Sequence, residues 1–265
     1  MGYIMGIRQI AIITGASSGL GAGFARSLDK VGLSEFWLVA RRREKLAELA
    51  ESLDTYCRCL SLDLTSKTSL DELDDLLKEE SKADDFQIAY LINASGFGCI
   101  GLSRECPREK LQRMVDLNCR AALALTEMCI PYMAGGSHIL QIASCSAFQP
   151  IPNLAVYAAS KAFLLSYSRA LSVELKDLGI TVTAVCPFWI RDTEFLTKAR
   201  ETDKHGAYFD MPGATTVERV VQKSLLAARR GKVVCTPDLV SSLHRIVASL
   251  LPHVLLARIC KMNEF

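Results

Sequence analysis

Apolar runs and helically spaced patterns alternate along the whole chain. RQIAIITG, residues 8–15, is a continuous apolar run ending at a glycine, as expected of a strand buried on both faces. GLGAGFARSLDKVG, residues 19–32, has helical spacing and stops at Gly32. EFWLVA reads as a second strand, REKLAELAESL as an amphipathic helix and YCRCLSLDL as a third strand. SLDELDDLLKEES gives a helix with a solvated acidic face, and QIAYLINASG a fourth strand. The second half continues in the same way. A long helix is predicted over 108–133, a strand at HILQIAS, a helix over 156–178 and a strand at ITVTAVCP. A helix over 217–230 and a short strand at GKVVCTP follow. Residues 238–262 form an amphipathic C-terminal helix that Pro252 should kink. Residues 193–215 have no clear period and contain Gly206 and Gly213, which predicts a mobile loop. Seven strands alternating with helices, with no linker-like stretch, predict one α/β domain over 1–265. The expected architecture is a doubly wound Rossmann-type parallel sheet with helices on both faces.

Composition narrows this picture. Half of the 265 residues are hydrophobic, enough for a sizeable core. A net charge of +2 argues against nucleic acid as a partner. The C-terminal helix carries too many charges and breaks for a transmembrane span. Ten cysteines without a secretory signal fit a reducing, cytoplasmic setting. Cys57 and Cys59 would share one face of a strand and read as structural thiols, so no metal site is expected.

The first chemistry lies in TGASSGLG, residues 14–21. Gly15, Ser17 and Gly19 make G-x-S-x-G, the spacing of a hydrolase nucleophile elbow. Gly15, Gly19 and Gly21 also make a phosphate-cradling loop between a strand and a helix. In that reading Gly15 allows the tight turn, Gly19 lets backbone approach a pyrophosphate, and Gly21 permits close helix–strand packing. The helix N-terminus then offers free N–H groups to the anion. An elbow normally caps a central strand after an oxyanion loop has been supplied, and here only a short segment precedes it. A hydrolase would need Ser17 with an Asp and one of His205, His244 or His253. The second strand ends at Ala40, followed by Arg41, Arg42 and Arg43, where an NAD site places an acid. Guanidinium groups there would attract a 2′-phosphate. The prediction is therefore NADP(H), with Arg41 first, Arg42 second and Ser17 adding a hydroxyl.

Further along stand Asn118, Ser144, Tyr157 and Lys161. Tyr157 and Lys161 lie in YAASK, four apart on one helix face. A lysine there should stabilise phenolate and lower a pKa that is ordinarily about 10. With TGASSGLG, Asp63, NASG at 93–96, Asn118, Ser144 and YAASK in this order, the chain resembles the short-chain dehydrogenase/reductases over nearly its whole length.

The resemblance implies an oxidoreductase that interconverts an alcohol and a ketone by hydride transfer. It makes Tyr157 the general acid or base, Lys161 the holder of the nicotinamide ribose, and Ser144 the group that orients the carbonyl. Asn118 would position a water leading from Lys161. Ser18 and Leu20 would complete the loop's cofactor contacts, Asp63 and Leu64 would contact the adenine, and Asn93 would lie by the ribose. The family usually reads N-N-A-G where this chain has Asn93-Ala94-Ser95-Gly96. It usually has Gly after Pro187, where this chain has Phe188-Trp189-Ile190. Ile190 and Thr193 are expected beside the carboxamide. Family members commonly form homodimers or homotetramers.

Phe97, Phe188 and Trp189, with Phe148, Phe195, Tyr208, Phe209 and Met211, could wall an apolar pocket under a lid formed by 193–215. That predicts a bulky alcohol or ketone such as a hydroxysteroid or bile acid, with a 3-ketoacyl or general carbonyl substrate as the alternative. A non-catalytic NADP-binding protein is the rival outside enzymology, and it has no need of the Ser144–Tyr157–Lys161 set.

Overall fold

The computed structural model describes residues 7–83, 85–204 and 213–259. The run that begins at Arg8 forms β1 (Arg8–Thr14), whose last five residues are all buried. Its alternate side chains point to opposite faces. Ala11 and Ile13 enter one apolar cluster with Phe24 and Leu28 of α1 (Gly19–Leu28). Ile10 and Ile12 enter a second cluster on the other face, with Leu73 and Leu77 of α3 (Lys67–Ala83). A strand covered on both sides has no polar face, so its sequence shows no alternation.

The remaining strands are β2 (Glu35–Ala40), β3 (Tyr56–Ser61), β4 (Phe86–Asn93), β5 (His138–Ile142), β6 (Thr181–Val185) and β7 (Val234–Cys235). They form one parallel sheet in the order β3-β2-β1-β4-β5-β6-β7. The order reverses between β1 and β4. Neighbouring connections leave in opposite directions there and open a crevice at the carboxyl ends of the strands. α2 (Arg43–Glu51) follows β2, and α8 (Val217–Arg229) packs Val220, Val221 and Leu225 onto the face that α1 covers.

Two elements differ from their sequence reading, and a third breaks where its proline was expected to kink it. The helix expected over 108–133 is divided into α4 (Arg108–Val115), a π-helical turn (Asp116–Ala121) and α5 (Ala122–Cys129), with a short 3₁₀ end. The π turn keeps the apolar period nearly intact, so the pattern could not announce it. The C-terminal helix divides at Leu251–Pro252 into α9 (Leu239–Leu250) and α10 (His253–Ile259), as the proline demands. The loop expected over 193–215 instead begins with a helix, α7 (Glu194–Arg200). Seven residues are too few to display a period. Within α7, Ala199 is buried and Glu194 pairs with Lys198 at 2.7 Å across one turn. His205, Gly206, Tyr208, Phe209 and Met211 lie outside the described residues. Among those described, no helix is long and apolar enough to cross a membrane.

Candidate active site

A cavity of about 1110 Å³ occupies the crevice above β1 and β4. It is larger than the roughly 300–1,000 Å³ of a pocket for one drug-sized ligand. Its floor at one end is the TGASSGLG turn. Gly15 has φ +66° and Gly19 φ +53°, conformations that favour glycine. A Cβ on Gly15 would lie 2.9 Å from the Ala94 carbonyl oxygen, and one on Gly21 only 2.4 Å from the Gly15 carbonyl oxygen. The turn is therefore packed directly against the end of β4 and against its own helix. Gly15, Ser17, Ser18, Gly19 and Leu20 line the cavity, whereas Gly21 lies beneath, where it lets the helix approach. Ser18 occupies the N-cap of α1 but makes no side-chain cap bond. Its Oγ instead accepts from Arg42 Nη2 at 2.8 Å, so the first N–H groups of α1 keep their donors for an anion.

Arg42 is the anchored arginine of the pair. Its Nε and Nη2 reach Ser17 Oγ at 3.3 and 3.2 Å, and Nη1 meets both oxygens of Glu194, the nearer at 2.9 Å. Arg41 also lines the cavity, and its charge helps hold the Asp63 carboxyl below its ordinary range. In Asp63 burial acts the other way, and hydrogen bonds from Thr65 outweigh it together with Arg41 and Arg113. Leu64 lines the wall beside Asp63. Ser17 Oγ is engaged by guanidinium, and no histidine or carboxylate is bonded to it among the described residues. That arrangement ties Ser17 to the arginine and leaves it without the base an elbow serine needs.

Asn93 departs from its expected place. It is buried behind the crevice, where Nδ2 donates to Thr126 Oγ1 at 3.1 Å and to the Ala122 carbonyl. Strand alternation turns it away, and Ala94, Ser95 and Gly96 line the cavity in its stead. Thr14 Oγ1 fixes that segment by accepting from the Ala94 and Ser95 amides, each at 3.0 Å.

The other end of the cavity holds Ser144, Tyr157 and Lys161. Ser144 follows β5 and caps a 3₁₀ turn (Cys145–Phe148), accepting from the Ser146 amide at 3.2 Å. Its hydroxyl also lies near enough to the Tyr157 phenol to favour the charged form of that group. Tyr157 and Lys161 project from one face of α6 (Ala155–Glu174). Lys161 Nζ donates to the Ile142 carbonyl at 2.7 Å and stands 5.7 Å from the centre of the Tyr157 ring. Burial dominates both groups. It pushes the Tyr157 phenol up, with the Ser144 hydroxyl acting in the other direction, and it lowers Lys161 from 10.5 to about 8. The expected lowering of Tyr157 by Lys161 is thus overridden, because a desolvated pair favours the neutral form of each partner.

Asn118 sits in the π turn, fully buried. Its Oδ1 accepts from the Phe97 amide at 3.1 Å, and its Nδ2 donates to the Phe97 carbonyl and to Ser160 Oγ. It braces the wall and does not itself line the cavity. Yet a Cβ on Gly96 would lie 3.0 Å from Asn118 Oδ1 and 3.4 Å from Lys161 Nζ, so both approach the same glycine.

Pro187, Phe188, Trp189, Ile190 and Thr193 form the facing wall. The Pro187 carbonyl accepts from the Cys145 amide at 2.9 Å, and Thr193 Oγ1 donates to the Ile190 carbonyl at 3.3 Å. Phe97 and Phe195 complete the apolar side, with the Phe195 ring centre 5.6 Å from that of Tyr157. Glu194 and Lys198 of the segment read as a lid also line the cavity, as do Val240 and Ile259, which sequence reasoning did not name, and His244, named there only for a hydrolase. Val240, His244 and Ile259 come from α9 and α10, and no local motif marks a residue that reaches a site from a distant helix.

A seven-stranded parallel sheet with a glycine turn at its switch point and a Ser–Tyr–Lys set across the crevice defines a Rossmann-type oxidoreductase. The short chain dehydrogenase profile matches residues 9–204, and the protein belongs to that family. A very-long-chain 3-oxoacyl-CoA reductase of Pyricularia oryzae is 35% identical over 190 residues, 68% of this chain and 56% of that one. Among solved structures, a short-chain dehydrogenase from Sphingobium yanoikuyae in complex with NADPH superposes with a TM-score of 0.76. It is 28% identical, over 92% of this chain and 96% of its own. The bulky-bulky ketone specific alcohol dehydrogenase from Comamonas testosteroni gives 0.72 at 28% identity, over 92% and 94%.

Proposed function

We propose that the protein is an NADP(H)-dependent oxidoreductase that interconverts a secondary alcohol and a ketone on a bulky apolar substrate of the hydroxysteroid or bile-acid type. One observation carries the reading: a single cavity joins the bonded Ser17–Arg42 pair to Ser144, Tyr157 and Lys161. The glycines that a Cβ would block fit a dinucleotide pyrophosphate over the turn, and the arginines fit a 2′-phosphate beside it. The nicotinamide would supply or accept the hydride. The chain's own residues do the rest. Ser144 and Tyr157 hold the substrate oxygen between their hydroxyls, and Tyr157 gives its proton to that oxygen in reduction or takes it in oxidation. Lys161, charged below about pH 8, favours the phenolate that remains. Phe97, Phe188, Trp189 and Phe195 exclude water and favour a large apolar substrate.

The NADPH-bound and bulky-ketone neighbours support this reading. A 3-ketoacyl thioester is the second reading, favoured by the fungal relative. One panel decides between them. NADPH and NADH oxidation is measured with ketosteroids, bile-acid ketones, 3-ketoacyl thioesters and simple ketones. NADPH-dependent turnover of the bulky ring ketones is expected. A preference for NADH throughout defeats the cofactor assignment, and activity confined to small polar polyols defeats the substrate assignment. Tyr157→Phe should lower kcat on the order of 10²–10⁴-fold with NADPH binding retained.

A further inference from the structure

Three consecutive residues at the start of α7 touch three parts of the site. Thr193 faces the glycine turn, its Cγ2 lying 3.4 Å from where a Gly19 Cβ would be. Glu194 pairs with Arg42. Phe195 lies against Tyr157 and against Gly98, where a Cβ would come within 2.9 Å of the Phe195 ring. The entrance of the lid is therefore tied to the phosphate end of the cavity and to the reacting end at once.

The Arg42 fork is fully committed. Nε and Nη2 serve Ser17 and Ser18, while Nη1 serves the Glu194 carboxylate. Lys198 also binds Glu194, at 2.7 Å. A phosphate bound by Ser17 and Arg42 would bring about two negative charges beside that carboxylate. Every edge of the guanidinium is already engaged, so a phosphate there would compete with a present acceptor, and like charges set side by side repel.

We infer that Glu194 is an internal rival of the 2′-phosphate: its carboxylate holds Arg42 until NADP(H) displaces it, so the cofactor's phosphate and the first turn of the lid helix compete for one guanidinium. This rests on the NADP(H) reading. NADH, which has no 2′-phosphate, leaves the Arg42–Glu194 pair intact. Glu194 thereby lowers the discrimination between the two cofactors, and its release on NADPH binding frees the segment that places Phe195 over Tyr157.

The test measures dissociation constants of NADPH and NADH for the full chain by fluorescence titration, in the wild type, Glu194→Gln and Arg42→Gln. Glu194→Gln keeps the size of the side chain and removes its charge. It should tighten NADPH about five- to tenfold, the lower range of coupling between sites, and leave NADH within about twofold. Arg42→Gln should weaken NADPH and spare NADH, and Glu194→Gln added to it should then change nothing. If Arg42→Gln weakens NADPH while Glu194→Gln leaves it unchanged, or shifts both cofactors alike, the rivalry is refuted and the cofactor reading stands. If Arg42→Gln leaves NADPH unchanged, the rivalry fails, and the cofactor reading fails with it where the wild type binds NADPH no tighter than NADH.

Discussion

Lys161 shows how one buried side chain links stability to chemistry. It is 4% exposed and gives its proton donors to the Ile142 carbonyl, with no carboxylate bonded to it among the described residues. Burial lowers it from 10.5 to about 8. Below that pH the folded protein holds a dehydrated cation that the unfolded chain would hydrate freely. Between pH 8 and 10.5 the unfolded chain binds more protons than the folded one, so this residue makes stability rise with pH across that window. The expected result is a Tm difference between Lys161→Met and the wild type that favours the variant at pH 7 and shrinks by pH 10. A difference independent of pH would mean that Lys161 is charged throughout, held by groups other than the carbonyl. The YAASK spacing foretold that tyrosine and lysine share a face. It could not foretell that burial outweighs their mutual attraction, because desolvation depends on what the rest of the chain packs around them. Asn93 gives the same lesson: the residue type suited a cofactor contact, but its strand parity turned it toward Thr126.

At the level of elements, the turn between β1 and α1 was the most legible part of the chain, because the constraint there is local. Gly21 leaves no space for a Cβ, which would stand 2.4 Å from backbone that cannot yield. Gly21→Ala should destabilise the protein by about 1–3 kcal/mol, the range for overpacking, and weaken NADPH binding by distorting the cradle. Gly32 serves as the control. Its φ is +82° and nothing lies within 4 Å of its Cβ position. Gly32→Ala should therefore cost only the left-handed backbone penalty, about 1–2 kcal/mol, and leave NADPH affinity unchanged. Urea unfolding and cofactor titration of the two variants separate these outcomes; equal effects on NADPH would deny the turn its special role. Less legible were α7, too short for a period, and the π turn that buries Asn118, which interrupts a helix without interrupting its apolar pattern.

Across the whole molecule, the parallel, doubly wound sheet followed from the alternation of strands and helices, but its strand order and the ties between distant segments did not. Buried Glu35 of β2 binds Arg8 of β1 at 3.0 Å and Arg58 of β3 at 3.0 Å, and both arginines reach Glu80 of α3. No motif marks that network, since its members are 22 or more residues apart along the chain. The C-terminal pair of helices is held far more lightly than this edge. In α9 only Ser241 and Ala248 are buried, and in α10 only Leu256. The opposite face of α9 carries Leu239, Leu243, Ile246 and Leu250, each more than half exposed. Local opening follows how little apolar surface anchors a segment, so α9 and α10 should exchange their amides sooner than β1 and β4. Val240, His244 and Ile259 of these helices also line the cavity. A bulky substrate would add contacts to a lightly anchored segment, and binding free energy then appears as protection there. Hydrogen exchange followed by mass spectrometry should show slower exchange over 239–259 when a bulky ketone joins the NADPH complex, with β1 unchanged. Protection confined to the TGASSGLG turn would place the substrate away from these helices and would remove them from the pocket's working wall.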